Sequence, residues 1–254
     1  MNPVLIGAAS ALGTAAGITA YGAVYPRAQL FGPTVCRTNS PRRLAITFDD
    51  GPNPAITPKL LNLLDRYHAR ATFFLIGRFV RECPELVKEV LARGHALGNH
   101  TETHPNLFWL GQTQIRDELR RCNDTISDAT GAPQEWFRPP FGMRNPWLAG
   151  VARELDLRIV MWTLIPGDWR ADKSGEWLIR RMERIATRTE HKLHNRHGHS
   201  GHAGEVLCLH DGYHRQQNAD RTLMLAALEH WLPRWHDLGL EFVTINQAVH
   251  APAL

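Results

Sequence analysis

From residue 43 onward, short apolar segments alternate with longer amphipathic ones. The apolar segments have the length of buried strands, and the longer segments repeat apolar residues at helical spacing. We predict strands over residues 44–48, 71–76, 96–98, 136–138, 158–163, 206–210 and 241–245. We predict helices near residues 57–68, 79–93, 112–130, 145–156, 175–188 and 220–238. Strand followed by helix, repeated about seven times, indicates an α/β fold with a parallel sheet that is either barrel-like or doubly wound.

Local signals help to place the ends of these elements. Thr57 precedes Pro58, which is typical of an N-cap followed by proline at the first helical position. Gly94 follows a predicted helix and indicates its end. The segment 187–204 is polar and contains five histidines, which predicts a loop that interrupts the alternation.

The chain begins with an uncharged stretch over residues 4–25. As a helix it would be about 33 Å long and could cross a bilayer, so we favour a single-pass anchor over a cleaved signal peptide or a buried or disordered tail. Arg27 and the arginines that follow it predict that the main domain stays in the cytoplasm. The predicted organisation is a hydrophobic segment (1–26), a linker (27–42) and a catalytic domain (43–250).

Composition narrows the class of protein. The chain has 254 residues, 43% of them hydrophobic and 21% charged, which is typical of a globular protein and not of a disordered or multi-span membrane protein. The net charge of +4 is spread along the chain, so nucleic-acid binding is not favoured. Four separated cysteines predict buried free thiols, although one disulfide stays open if the domain is exported.

Polar residues follow several of the predicted strands, where parallel α/β proteins collect functional groups. Asp49 and Asp50 are adjacent carboxylates that repel each other unless a cation, a base or a proton lies between them. Alternatively, the two aspartates belong to a solvated turn without a functional role. His100 and His104 have the spacing of two ligands to one metal ion, although a pair of surface histidines would have the same spacing. One of the aspartates can supply the third ligand.

Two further strand ends carry candidate groups. Arg138 precedes two prolines that stiffen its loop and leave the amide of Phe141 as a presented donor. His210 ends an apolar strand and can deliver a proton near neutral pH. Each of these residues taken alone is also compatible with a purely structural role.

Together, the motifs TFDDGP, HTETH, RPPFG and LHDG resemble those of the polysaccharide deacetylases of carbohydrate esterase family 4. The resemblance covers roughly residues 43–249. With it, we predict a distorted (β/α)7-type barrel of mostly parallel strands, preceded by an N-terminal hydrophobic helix. It implies a hydrolase that removes N-acetyl groups from N-acetylglucosamine-containing glycans of the chitooligosaccharide or peptidoglycan type.

The resemblance also implies roles for individual residues. Asp49 would be the general base, oriented by Arg138, and His210 the general acid, tuned by Asp168. The metal ligands would be Asp50, His100 and His104. The amide of Phe141 would stabilise the oxyanion, while Trp169 and Leu209 would line the pocket for the acetyl methyl group. The cofactor is predicted to be one divalent ion, with zinc the first choice and other divalent ions open.

Three features depart from the family pattern. Ile165, Pro166 and Gly167 precede Asp168 where family members often carry another aspartate, and the histidine-rich segment 187–204 is an insertion. The arginines after the N-terminal stretch also conflict with the extracytoplasmic site that a cell-wall substrate implies, and we expect the motifs to outweigh this rule. We therefore predict a membrane-anchored protein with an extracytoplasmic catalytic domain, or a secreted one.

Two other functions remain open from the sequence. One is a metal-dependent hydrolase of a non-carbohydrate amide or imide, and the other is an inactive glycan-binding module. No protein partner is inferred. The sequence does not fix the natural glycan, the metal, the disulfide state, the oligomeric state or the role of the histidine-rich segment.

Overall fold

The computed structural model describes residues 3–194 and 203–249. The strands are β1 (Thr34–Val35), β2 (Arg43–Gly51), β3 (Ala71–Leu75), β4 (Ala96–Asn99), β5 (Trp136–Phe137), β6 (Arg158–Val160), β7 (Glu205–His210) and β8 (Glu241–Phe242). The helices are α1 (Pro3–Val24), α2 (Thr57–Arg66), α3 (Gly77–Glu82), α4 (Pro84–Ala92), α5 (Gln112–Thr130), α6 (Leu148–Glu154), α7 (Gly175–His194), α8 (Thr222–Asp237) and α9 (Ile245–Val249).

The strands form one parallel sheet in the order β1-β6-β5-β4-β3-β2-β7, with β8 also pairing with β2. Within the described residues, β1 and β7 at the two ends of this order do not pair with each other. A single bridge between Leu164 and Leu207 joins the segment after β6 to β7. The sheet is therefore a curled, incompletely closed barrel, and the parallel α/β architecture predicted from the sequence is confirmed.

Residues on the two faces of the strands enter different apolar clusters. Leu44, Ile46 and Phe48 of β2 pack outward against helices such as α2, α7 and α8. Ala45 of β2 points to the opposite face and joins a smaller cluster that includes Val206 of β7. Because side chains alternate along a strand, Thr47 and Asp49 continue the face of Ala45. The barrel interior thus changes from apolar to polar toward the carboxyl ends of the strands.

Several predicted elements differ from the structure. The single helix predicted near 79–93 is two helices, because Cys83 leaves the helical conformation and Pro84 starts α4. Thr57 is the first residue of α2 and not its N-cap, and its hydroxyl accepts from the Asn53 amide at 2.9 Å. The predicted strand 241–245 ends at Phe242, and α9 begins at Ile245.

Two predicted connecting segments contain regular structure. Thr34 and Val35, inside the predicted linker, form β1 and pair with β6. Helix α7 continues to His194, so residues 187–194 of the predicted histidine-rich loop are helical. Residues 195–202 of that loop lie outside the described residues.

The N-terminal stretch forms α1, which is rich in alanine and glycine. Among the residues that the structure describes, no helix combines the length and the apolar character needed to cross a bilayer. Alanine and glycine bury little apolar surface, so the predicted membrane anchor is not supported. The end of α1 contacts the domain, because the Arg144 amide donates to the Ala23 carbonyl at 3.1 Å and its guanidinium to the Ala28 carbonyl at 2.8 Å.

Candidate active site

The predicted site residues meet at the carboxyl ends of the strands. Asp49 on β2 lies opposite His210 on β7 in the strand register. His100 directly follows β4, and Arg138 directly follows β5. Between them is a cavity of about 270 Å³ whose lining includes Asp49, Asp50, His100, His104, Phe141, Trp169, His210 and His214. The carboxylates and the imidazoles therefore line the same cavity.

Asp49 forms a buried ion pair with Arg138. The Arg138 Nη1 atom donates to Asp49 Oδ1 at 2.7 Å, and both side chains are buried. The same nitrogen lies 2.7 Å from the Thr47 hydroxyl oxygen, and the Cys208 thiol donates to Asp49 Oδ2 at 3.4 Å. Both oxygens of Asp49 thus have protein partners, which fixes the orientation of the carboxylate.

The Arg138 side chain is itself held from several directions. Its Nε donates to the Val160 carbonyl at 3.3 Å and its Nη2 to the Met161 carbonyl at 3.2 Å. The guanidinium carbon lies 4.2 Å from the centre of the Phe74 ring, within the range of a cation–π contact. A fully buried arginine with this set of partners is a rigid support for Asp49.

Asp50 faces imidazoles instead of a guanidinium. Its Oδ1 lies 3.1 Å from His104 Nε2 and 3.5 Å from His100 Nε2. This buried oxygen makes no hydrogen bond to any residue that the structure describes. Two imidazole nitrogens close to one carboxylate oxygen are the donor types of an open zinc-type site, in which bonds are about 2.0–2.2 Å long. Among the described residues, the ligand atoms of Asp50 and His104 lie close enough to share one ion together with that of His214. The three predicted metal ligands therefore have donor types that suit a divalent ion.

The protonation states of these groups also suit a metal. His100 Nδ1 lies 2.7 Å from the Arg138 carbonyl oxygen. Because a carbonyl oxygen only accepts hydrogen bonds, the ring proton is on Nδ1, and the lone pair of Nε2 faces Asp50. Burial lowers the pKa of His104 to about 4, so its ring is neutral at pH 7. Although burial raises the pKa of Asp50, the neighbouring imidazoles of His100 and His104 outweigh it and hold that pKa well below its usual value. Neutral imidazoles and an ionised carboxylate are the forms that bind metal.

His210 and Asp168 form a hydrogen-bonded pair in the wall of the cavity. His210 Nδ1 lies 3.0 Å from Asp168 Oδ1, and the His210 amide donates to Asp168 Oδ2 at 2.7 Å. Burial lowers the pKa of His210, but the charge of Asp168 and its hydrogen bond outweigh burial and raise that pKa to about 9. The imidazolium form is therefore the main one at neutral pH, and it has a proton to donate.

Strained backbone conformations occur repeatedly around the cavity. The non-glycine residues with positive φ include Asp50 at 70°, Thr101 at 68°, His104 at 63° and Phe141 at 58°. Such conformations cost free energy and persist where the surrounding structure enforces them, often at functional sites. Gly212 provides part of this enforcement, because a Cβ atom there would lie 2.0 Å from the Asp50 carbonyl oxygen.

The predicted pocket residues differ in their positions. Trp169 lines the cavity, and its ring centre lies 4.9 Å from that of His210. Phe141 also lines it, with its ring 4.7 Å from the His104 ring. Leu209 is fully buried in the outer apolar cluster and is not part of the cavity lining. Its position follows from strand alternation, because Leu209 must point away from the face that carries His210.

Three residues near the site are absent from the sequence predictions. Cys208 and Thr47 contact the Asp49–Arg138 pair, and His214 lies beside Asp50. Side chains alternate between the two faces of a strand, so residues two apart point to the same face. Cys208 is two residues before His210 and Thr47 is two before Asp49, so the sequence does indicate that both point toward the site. His214 lies in a loop, where no periodic pattern indicates the direction of a side chain.

Larger cavities, of about 700 Å³ and 950 Å³, lie elsewhere on the protein. Neither is lined by any of the predicted catalytic or metal-binding residues. The smaller cavity is the candidate active site, because it alone among these three is lined by Asp49, Asp50 and the histidines predicted to act in catalysis or metal binding.

Comparison with known proteins agrees with this geometry. Residues 37–160 match the polysaccharide deacetylase family. The chain is 35% identical over 215 residues to a peptidoglycan-N-acetylglucosamine deacetylase of Bacillus cereus, covering 82% of this chain and 89% of that protein. The chain belongs to the polysaccharide deacetylases. It is also 32% identical over 203 residues to a chitooligosaccharide deacetylase of Azorhizobium caulinodans, covering 77% of this chain and 89% of the relative.

A solved structure supports membership of carbohydrate esterase family 4. The family 4 carbohydrate esterase from Streptomyces lividans, determined in complex with acetate, superposes with a TM-score of 0.68 at 29% identity. The match covers 85% of this chain and all of that one. The two named deacetylases are 35% and 32% identical to this chain over most of its length. The protein is therefore a polysaccharide deacetylase enzyme.

Proposed function

We propose that this polysaccharide deacetylase is a metal-dependent enzyme that removes acetyl groups from N-acetylglucosamine units of a glycan. The observation that carries this proposal is one cavity that joins three groups. These are the Asp49–Arg138 ion pair at 2.7 Å, the Asp50 carboxylate between two imidazoles, and the His210–Asp168 pair at 3.0 Å. A base, a metal site and an acid are the parts that hydrolysis of an amide requires.

Asp50, His100 and His104 would hold the ion, with zinc the first choice for two nitrogen donors and one oxygen donor. When bound, such an ion polarises the amide carbonyl and lowers the pKa of a bound water. The Asp50 Oδ1 atom, buried and without a hydrogen bond among the described residues, supports a cation at this position.

Asp49 takes the proton from the attacking water. The guanidinium of Arg138 holds one of its oxygens, so the carboxylate keeps one orientation throughout the reaction. The peptide N–H of Phe141 is the candidate donor to the developing oxyanion, since this residue lines the cavity and its backbone is held at a φ of 58°. Trp169 supplies apolar surface for the acetyl methyl group.

His210 gives its proton to the departing nitrogen. Its pKa of about 9 keeps it protonated at neutral pH, and Asp168 fixes the ring through Nδ1 so that Nε2 is the donating atom. Water adds to the acetyl carbon, the carbon–nitrogen bond breaks, and the products are acetate and a free glucosamine amine. Every group on the protein then returns to its starting state once Asp49 has released the proton it took and His210 has regained one.

The site of action is proposed from the substrate. The Bacillus cereus relative is a peptidoglycan deacetylase, and peptidoglycan lies outside the cytoplasm. We therefore place the catalytic domain outside the cytoplasm as well. Fractionation of cells that produce the full chain, with activity assayed in each fraction, tests this location.

The reaction is tested by mass spectrometry of products from acetylated chitooligosaccharides and from peptidoglycan fragments, with and without a chelator. We expect loss of about 42 Da per acetyl group removed, the mass difference between an acetyl group and hydrogen, and we expect the chelator to abolish it. Unchanged turnover after metal removal would contradict the metal dependence. Hydrolysis of simple amides or imides with no reaction on either glycan would favour the non-carbohydrate alternative.

A further inference from the structure

His214 lies beside the Asp50 carboxylate, in the connection between β7 and α8. Its Nδ1 atom is 3.8 Å from Asp50 Oδ2. This is the carboxylate oxygen other than the one that faces His100 and His104. The distance is too long for a hydrogen bond, so His214 is close to Asp50 without being bonded to it directly.

The ring of His214 is oriented by its neighbours. It lies nearly parallel to the His104 ring, with an interplanar angle of 13° and 4.4 Å between centres. The rings of Phe141 and His214 pack edge to face, with 5.4 Å between their centres. Its backbone is tethered as well, because the Arg78 guanidinium donates to the His214 carbonyl. The side chain is 20% exposed, which leaves room for small adjustments of the ring.

Asp50, His104 and His214 each offer one ligand atom, and these three atoms all lie within 4.8 Å of one another. Donor atoms at this spacing are close enough to share one ion, provided that the His214 ring turns out of its parallel stack on His104 so that both nitrogen lone pairs point at the ion. The loop that carries His214 is also constrained by Gly212, where any side chain would collide with the Asp50 backbone. The chain thus brings a third imidazole to a site that the family resemblance supplies with only two.

We propose that His214 is a further protein ligand of the metal held by Asp50, His100 and His104. The inference rests on the metal site proposed above and adds a donor to it. An additional imidazole would make the ion harder to remove, and an ion with four protein donors would bind the attacking water as a fifth ligand. The alternative is that His214 only packs against His104 and forms part of the cavity wall.

The test uses zinc-loaded full-length protein with His214→Ala, His214→Gln and His236→Ala. His236 is a matched control, because its side chain is 69% exposed on α8 and it is not part of the cavity lining. Zinc affinity is measured by competition with a chromophoric chelator, and X-ray absorption at the zinc edge counts the imidazole ligands. We expect three imidazoles in the wild type and in His236→Ala, and two in both His214 variants. We expect zinc affinity to fall by about 10- to 100-fold in His214→Ala, the range found when groups that support a metal site are removed.

The possible failures are distinguishable. Two imidazoles in the wild type, with zinc affinity unchanged in His214→Ala, would overturn the role of His214 and leave the three-ligand site intact. Absence of zinc binding in the wild type would overturn both proposals. Folding of each variant is checked by circular dichroism. If His214→Ala does not fold, His214→Gln is compared with the wild type instead, because glutamine fills similar space without an imidazole.

Discussion

The carboxylates of Asp49 and Asp50 are adjacent in the chain, yet they lie in differently constructed halves of the cavity. Asp49 is in a guanidinium half, where Arg138 and the Cys208 thiol each occupy one of its oxygens. Asp50 is in an imidazole half, where ring nitrogens approach it at 3.1–3.8 Å without bonding to its Oδ1 atom. The first arrangement holds a carboxylate in place, and the second leaves it free to bind a cation.

A local irregularity of β2 separates the two halves. The register between β2 and β3 shifts between Asp49 and Gly51, and Asp50 has a φ of 70°. An irregularity of this kind redirects a side chain at the end of a strand. Two carboxylates that would repel each other side by side therefore face different partners, which lets them perform different tasks.

The largest expected effect comes from the imidazole half. Asp50→Asn keeps the size of the side chain and tolerates positive φ, but it removes the charged metal ligand. We expect zinc to be lost and turnover of acetylated chitooligosaccharides to fall roughly 10⁴-fold, because the several kcal/mol supplied by the metal disappear. Zinc content by elemental analysis and kcat are the measurements. A zinc-loaded, active Asp50→Asn enzyme would contradict the assignment of this half.

The same substitution at Asp49 tests whether the two carboxylates have different tasks. We expect Asp49→Asn to retain zinc and to lose about 10²- to 10⁴-fold in kcat, because the proton of the attacking water then has no acceptor. Zinc content and kcat are measured in parallel with those of Asp50→Asn. If Asp49→Asn lost its zinc instead, the two halves would not be functionally distinct.

Asp168→Asn tests the acid in the cavity wall. The charge of Asp168 raises the pKa of His210 to about 9, so removing the charge should return that pKa toward its ordinary value of about 6.5 or lower. The reaction needs protonated His210, so activity is lost as the pH rises through this pKa. The basic limb of the kcat/KM profile should therefore move to lower pH, with about 30-fold lower activity at pH 8. Asp172→Asn, at an exposed residue paired with Arg170, is the control. An unmoved basic limb would argue against His210 as the acid.

The smallest expected effect concerns the thiol of the guanidinium half. Cys208→Ala removes the donor to Asp49 Oδ2, and one hydrogen bond of about 0.5–1.5 kcal/mol corresponds to about a 2- to 10-fold loss of kcat. Cys83→Ala is the matched control, because the Cys83 thiol contacts Gln217 and does not line the cavity. Equal kcat values for the two variants would show that Arg138 alone orients Asp49.

Much of the fold was predictable because its signals are local. Alternation of apolar strands and amphipathic helices predicted the parallel α/β architecture, and the strands end close to the predicted positions. Pro84, which begins α4, is a local signal of the break between α3 and α4. The short strand β1 was missed because two residues carry no periodicity, and it exists only through its pairing with β6.

The candidate site followed from the sequence motifs. The family resemblance predicts Leu209 in the pocket, but strand alternation in β7 places Leu209 in the outer apolar cluster and places Cys208 on the face of His210. The contact of His214 with Asp50 depends on a loop conformation that is fixed by tertiary neighbours such as Arg78. Sequence spacing does not encode such a contact.

The sequence by itself determined which chemical groups gather at the carboxyl ends of the strands, because parallel strands bring their ends to one edge regardless of distance along the chain. Only the tertiary structure decided how those groups pair. Arg138 reaches Asp49 across the barrel interior, and Asp50 turns toward the histidines because β2 loses its regular register there. The physical reason is that pairing depends on side-chain directions at the level of ångströms, which packing fixes and which residue type and spacing leave open.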